Sequence, residues 1–258
     1  VDAGELGSEV AVSASGQFSA GGTHAGKKFD LIYGHPNGAL PDGIGTTFTT
    51  VRIDGTDYRL ETQKSSRSKS ADGTLVSESP IARTGITIVQ KIKPEPAGDR
   101  VKTRITYEIR NASAAKHKVG LRLLLDTWAG QNDGVPFMIP AGSASQLFRN
   151  EVEFTPAASV MWQVFDPDGT GPARQVEPGL QNIMVGEGLV PPDRIAFAAW
   201  QNAADTLWDY AVSADRRVTG DSAVILWWNP AEISPGLTQV VATELGAALH
   251  KREPTVFV

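Results

Sequence analysis

The strict alternation of side chains in residues 100–110, RVKTRITYEIR, constrains the fold of this chain more than any other feature. Uncharged residues at 101, 103, 105, 107 and 109 alternate with mostly charged residues between them. This period of two is typical of a β-strand with one buried face. Runs 86–93 and 118–127 have the same period, and PEPAGD (94–99) and NASAAKH (111–117) separate the three runs. Together they predict an antiparallel meander of three strands with one largely wet face.

The meander has a preferred register, in which apolar residues face apolar residues across each turn. A symmetric first turn pairs Ile88 with Ile105. A symmetric second turn pairs Ile105 with Leu123 and places Asp126 opposite Lys102. A slip of one residue would move every apolar side chain to the wet face, so this register is the prediction.

The rest of the chain continues in the same manner, with short runs rich in Val, Ile and Thr between turns supplied by 26 Gly and 16 Pro. No stretch of more than roughly ten residues has a helical period. We therefore predict an all-β fold: a large two-sheet antiparallel β-sandwich of the supersandwich kind, with little helix. One domain covers residues 1–258, with extended terminal segments 1–19 and 250–258. Such ends can pair with a neighbouring sheet edge, which predicts a protein partner or self-association.

Composition excludes several classes of function. The net charge of −5 argues against binding to nucleic acid, which requires a clustered basic surface. No apolar run of about 18 residues is present to span a membrane. The absence of cysteine excludes disulfides, thiolate zinc sites and a cysteine nucleophile. The chain begins Val1-Asp2-Ala3 rather than with methionine, which fits either a processed mature N-terminus or a trimmed chain. We favour the first and predict an exported protein of the periplasm or extracellular space.

The segment LLLDTWAGQNDG (123–134) contains the densest set of polar candidates. Asp126, Asn132 and Asp133 place three hard oxygen donors within eight residues, next to glycines that permit tight turns. Calcium prefers such ligands, and no other cofactor is predicted. The alternative is structural: Asp126 makes an ion pair with Lys102 across the sheet, and the two turn residues bond to nearby backbone N–H groups.

The six tryptophans are the second candidate feature. Exposed indoles form platforms for sugar rings, whereas buried ones fill a core. In AVILWWNP, the adjacent Trp227 and Trp228 must point to opposite faces of a strand, so at least one leaves the main core. Trp128 and Trp228, with His35 in the turn YGHPNG, are the candidate ligand-binding residues. No residue is assigned a catalytic role, since the motifs of nucleophile elbows and nucleotide-binding loops are missing from the sequence.

Two resemblances rest on the segment ITYEIRNASAAKHKVGLRLLLDTWAGQNDGVPF. Its GLRLLLDT and NDGVPF parts are similar to those of uncharacterised exported bacterial β-sandwich proteins. Its TYEIRN strand resembles the supersandwich of galactose-mutarotase-like and related carbohydrate-active domains. Mutarotase-type enzymes use a pair of histidines with a carboxylate, and the surroundings of His35 and His117 do not match that pattern.

Three functions follow as hypotheses. The first is a non-catalytic, exported structural or interaction module of the bacterial cell envelope or extracellular space, for which self-assembly through the terminal strands is one option. The alternative is a carbohydrate-binding or carbohydrate-processing, mutarotase-like domain that uses exposed tryptophans. The third is a calcium-stabilised adhesion module.

Overall fold

The computed structural model describes residues 6–13, 16–24, 26–34, 45–97, 100–129, 132–141, 144–155, 161–164 and 179–248. It confirms the predicted all-β class with antiparallel sheets. Within these residues, helix is confined to α1 (Trp200–Ala204) and a 3₁₀ turn at Leu60–Thr62. None of the described helices has the length and apolar content needed to cross a membrane.

The strands of the described residues form three sheets. In spatial order, the nine-stranded sheet contains β12 (Ala144–Phe148), β11 (Phe137–Ala141), β14 (Met161–Val164), β15 (Gly179–Ile183), β18 (Thr238–Ala248), β9 (Arg100–Asn111), β8 (Ile86–Ala97), β7 (Leu75–Ile81) and β6 (Ser66–Lys69). In the same way, the six-stranded sheet contains β13 (Val152–Phe154), β16 (Arg194–Ala199), β17 (Ser222–Ile233), β10 (His117–Asp126), β4 (Phe48–Ile53) and β5 (Thr56–Arg59). The small sheet contains β1 (Leu6–Val12), β2 (Phe18–His24) and β3 (Lys27–Asp30).

Of the two predicted terminal segments, the structure describes part of the first and none of the second. Residues 6–12 of the N-terminal segment 1–19 pair with residues 18–24, so this part forms a hairpin within the chain. The C-terminal segment 250–258 lies outside the described residues.

Two apolar cores explain the composition of the central strands. The main core contains Val224, Leu226 and Trp228 of β17, whereas Ile225 and Trp227 belong to a second core that also contains residues of α1 and the following loop. The adjacent tryptophans therefore point to opposite faces, as predicted from strand geometry. The six-stranded sheet is buried on both faces at its centre.

The hairpin of β8 and β9 forms as predicted, but its register was predicted wrongly. Ile88 pairs with Ile109 rather than with Ile105, a shift of four residues that keeps apolar residues on one face. The shift arises because Pro94 and Pro96 belong to β8 instead of the turn. Beyond Ile92, β8 has no partner in β7, and proline is compatible with a strand at such an edge because no ladder donor is needed there.

The predicted pairing of β9 with β10 is also wrong. β10 crosses to the six-stranded sheet, where it pairs with β17 and β4. Its outer face is not wet, because Arg122 and Leu124 are fully buried. Asp126 lies opposite Ala223 instead of Lys102. The side chain of Lys102 forms an ion pair with Glu244 at 2.7 Å. A strand that is apolar on both faces belongs in the middle of a covered sheet. The run LRLLL (121–125) indicates such a strand, and this signal outweighs the symmetry of the loop between β9 and β10.

Candidate functional site

Antiparallel pairing of β10 and β17 brings two distant carboxylates together at one end of the six-stranded sheet. Asp126 is the last residue of β10, and Asp221 immediately precedes β17. Asp133 joins them from the turn that follows β10. One carboxylate oxygen from each residue lies within 4.8 Å of the corresponding oxygens of the other two. We call Asp126, Asp133 and Asp221 the acidic cluster.

Backbone and hydroxyl hydrogen bonds fix the acidic cluster in place. The carbonyl of Asp133 accepts from both the N–H and the Oγ of Ser222, each at 2.9 Å. The Thr127 hydroxyl donates to the Ser222 carbonyl at 2.9 Å. The Asp126 N–H donates to the Thr47 hydroxyl at 3.0 Å. The end of β10 and the turn after it are therefore hydrogen-bonded to the neighbouring strands on both sides, which limits how far the three carboxylates can separate.

A close backbone approach places the turn against the start of β17. A Cβ added to Gly134 would lie 1.8 Å from the Gly220 nitrogen, so no other residue fits there without displacing the backbone. Asn132 supports the same turn, since its Oδ1 accepts from the Gly134 N–H at 3.0 Å. Asn132 is thus engaged in the turn, as the structural alternative described, whereas Asp126 and Asp133 face each other.

The acidic cluster has oxygens without hydrogen-bond donors. Among the described residues, the Oδ1 atoms of Asp126, Asp133 and Asp221 are all buried and accept no hydrogen bond. The single side-chain contact described is the hydroxyl of Thr46, which donates to Asp126 Oδ2. No lysine or arginine of the described part of the chain forms an ion pair with any of the three. Buried oxygens of this kind normally have a partner in native proteins.

Burial governs the protonation of these groups. It raises the pKa of Asp126 well above its usual range, with the charges of Asp133 and Asp221 acting in the same direction and the Thr46 hydrogen bond acting against them. Burial, followed by the charge of Asp221, raises the pKa of Asp133 to about 6. Burial also raises the pKa of Asp221. Each of the three carboxylates is therefore destabilised in its ionised form unless a cation or a donor compensates for it.

An aromatic pair adjoins the acidic cluster along the chain. Trp128 follows Asp126 by two residues and is partly exposed. Its ring centroid lies 5.3 Å from that of Tyr33, at an interplanar angle of 45°. The N–H of Tyr33 donates to the carbonyl of Asp126 at 3.1 Å, and the N–H of Trp128 donates to the carbonyl of Leu31 at 3.2 Å. Tyr33 is therefore hydrogen-bonded through its backbone to Asp126, and Trp128 is connected to Asp126 along the chain.

The other predicted site residues lie elsewhere. Trp228 is 4% exposed and its Nε1 donates to the Val190 carbonyl at 2.8 Å, so it offers no open ring face. His117 stands at the opposite end of β10 from Asp126, about 30 Å away at the usual rise of a strand. Its Nδ1 lies 2.6 Å from Asp54 Oδ2. His35 lies outside the described residues.

Asp221 is the site residue that the sequence did not reveal. It lies far along the chain from Asp126, in the run TGDSAVILWW. The available signal was an acidic residue placed directly before an apolar strand. That signal becomes informative only when β17 is known to be the antiparallel neighbour of β10.

The raised pKa values predict that the free energy of unfolding depends on pH when a chelator keeps metal ions away from the chain. A group whose pKa is higher in the folded state contributes stability at low pH, and this contribution is lost as pH rises through the folded value. For Asp133 this stabilisation is complete below about pH 4, the unfolded pKa, and is lost as the pH rises through the folded pKa of about 6. We expect Asp133→Asn to melt above the native chain at pH 7 by about 2–4 °C, or about 1 kcal/mol, and to match it at pH 4. Calorimetric melts at both pH values check this, and a difference independent of pH would contradict it.

Comparisons with known proteins show the fold. No protein-family model matches the sequence, and a search of curated proteins finds no match. A protein from Synechocystis sp. PCC 6803 is similar in structure, with a TM-score of 0.56 and 10% identity over 94% of this chain and 92% of that one. A galactose mutarotase-like protein from Lactobacillus casei gives a TM-score of 0.50 and 7% identity over 94% and 100%. A polysaccharide lyase gives 0.53 and 11% over 97% of this chain and 34% of that one.

These similarities confirm the predicted resemblance to galactose-mutarotase-like domains at the level of the fold. The described residues form an antiparallel sandwich of that kind, in which a small third sheet accompanies the six- and nine-stranded sheets. The chain corresponds to about a third of the polysaccharide lyase. Because a shared fold does not carry its activity with it, function has to be argued from the site.

Proposed function

We propose that this chain is a carbohydrate-binding domain without catalytic activity. Its binding face is the acidic end, which we define as the acidic cluster together with Trp128 and Tyr33. The observation that carries the proposal is a partly exposed indole, Trp128, only two residues along the chain from a cluster of carboxylates, of which Asp133 and Asp221 are themselves partly exposed. The apolar face of a sugar ring packs on an aromatic ring, and sugar hydroxyls donate to carboxylates, so the two features complement one ligand class.

The fold supports this proposal over a purely structural module. Two of the similar structures are described as a galactose mutarotase-like protein and a polysaccharide lyase, both of them proteins named for carbohydrates. A sandwich of this kind offers loops at the ends of its strands as the place for a ligand, and loops on a rigid scaffold are where binding residues concentrate. The acidic end is formed at such a place.

Binding without catalysis is favoured by the chemistry of the described side chains. The only histidine whose side chain is described, His117, is paired with Asp54 far from the acidic end. The mutarotase pattern of two histidines with a carboxylate is therefore not assembled in this part of the chain.

A glycan array probed with the native chain and with Trp128→Ala tests the proposal. We expect selective binding by the native chain and a loss of about tenfold or more in the variant, as for a tryptophan at the centre of an interface. Trp128→Phe is the matched control, since it keeps an aromatic ring and should retain most of the binding. Absence of binding to every glycan, or equal binding by the alanine variant, would contradict the proposal.

A further inference from the structure

We infer that the acidic cluster is a binding site for a divalent cation that prefers oxygen ligands, with calcium as the cation expected. The inference concerns the carboxylates alone and does not depend on carbohydrate binding. It starts from the Oδ1 atom of Asp126, which is buried in a residue 4% exposed and has no hydrogen-bond partner among the described residues. Asp133 and Asp221 each present one further oxygen in the same condition.

The spacing of the oxygens fits a shared ion. Calcium binds oxygens at about 2.3–2.6 Å, so two ligands on one ion are separated by at most about 5 Å. The three carboxylate oxygens lie within 4.8 Å of one another, inside that limit. Two or three carboxylates at this distance repel each other when ionised, and a divalent cation among them reverses the sign of the interaction.

Backbone contacts position the three carboxylate ligands. Asp126 ends a central strand and Asp221 immediately precedes the neighbouring strand. Asp133 is held by two hydrogen bonds from Ser222 to its carbonyl. The close approach of Gly134 to Gly220 sets the position of Asp133 relative to Asp221. Because these constraints do not involve the carboxylates, the site is in place before the ion arrives, which lowers the cost of binding.

Calcium titration of the chelator-treated native chain, without any glycan, tests the inference. We expect saturable, single-site heat by calorimetry and a melting temperature that rises by several degrees at saturating calcium. Asp221→Asn should weaken binding by about tenfold or more. Asp209→Asn is the matched control, because it makes the same charge change at an exposed position, and it should respond like the native chain.

Three results would overturn the inference. The first is a folded native chain with neither calcium heat nor a shift in melting temperature. The second is an Asp221→Asn variant that binds as tightly as the native chain, and the third is an equal loss in Asp209→Asn. If Asp221→Asn does not fold, Asp133→Asn provides the same comparison. That variant should melt above the native chain in chelator at pH 7 and below it in saturating calcium. Sugar binding is measured separately, so failure of either proposal leaves the other to its own test.

Discussion

Arg122→Ala is expected to lower the free energy of unfolding by about 3–5 kcal/mol, or roughly 10–15 °C in melting temperature. Arg122 is fully buried on the outer face of β10. Its guanidinium donates to the carbonyls of Thr206 and Leu207 at 3.0 and 3.1 Å and to the carbonyl of Ala203 at 2.9 Å. Burial lowers the pKa of Arg122 to about 10, with the nearby charge of Arg59 adding to the effect, so the side chain remains charged at neutral pH.

The loss has two components that a second variant separates. Alanine leaves a cavity and also removes the guanidinium donor that three carbonyls share. Arg122→Met restores most of the volume but not the donors, so we expect it to cost about 1–3 kcal/mol. Arg149→Met, at an exposed position, should stay within about 0.5 kcal/mol of the native chain. Denaturant melts of the three variants check this order, and an Arg122→Ala variant as stable as Arg149→Met would contradict it.

Arg122 also supports the acidic end through α1. It anchors α1 and the loop after it, and the first residue of α1, Trp200, donates its N–H to the carbonyl of Asp221 at 3.0 Å. Arg122 and Asp126 lie on the same face of β10, four residues apart. A loosened α1 should therefore reduce the calcium response of any Arg122 variant that still folds.

Glu151→Ala is expected to cost a similar amount, about 3–5 kcal/mol, because it removes a buried charge that serves several donors. Glu151 is 4% exposed and accepts from the N–H groups of Ala199 and Ser213 at 3.0 and 2.9 Å. Arg216 donates to it at 2.9 Å, and the hydroxyl of Tyr210 donates as well. Without the carboxylate, the N–H groups of Ala199 and Ser213 and the hydroxyl of Tyr210 lose this acceptor between β16 and the 210–216 loop.

A neighbouring glutamate provides the control for Glu151. Glu153 is two residues away and pairs with Arg194 at 2.9 Å, but both side chains are partly exposed. We expect Glu153→Ala to cost no more than about 1 kcal/mol, since solvent screens such pairs. Thermal melts of the two alanine variants decide the matter. Equal losses in both would show that burial of Glu151 does not matter as described.

The sequence predicted the fold class because its signals are local. Alternation of side chains identified β9, and the double tryptophan of β17 indicated side chains on opposite faces of one strand. The sheet order was not predictable in the same way, since it depends on which distant strand covers each edge. β10 illustrates this, because its symmetric loop favoured β9 while its apolar residues on both faces required the middle of the other sheet.

The candidate site was predictable only in part for the same reason. Asp126, Asp133 and Trp128 are close in sequence, and the structure brings the carboxylates of Asp126 and Asp133 together. Asp221 enters through strand pairing, which no local pattern reports. Trp228 was a reasonable candidate by residue type, but the direction of its side chain depends on which face of β17 meets the main core.

On this view, the ends of β10 and β17 form a ligand site rather than a turn that satisfies only its own backbone. A crystal structure of the native chain grown with calcium distinguishes the two. We predict an ion bonded to one oxygen each of Asp126, Asp133 and Asp221, with Trp128 at its rim. Carboxylates that share protons with each other, or that turn away to other donors, with no ion between them would contradict the claim.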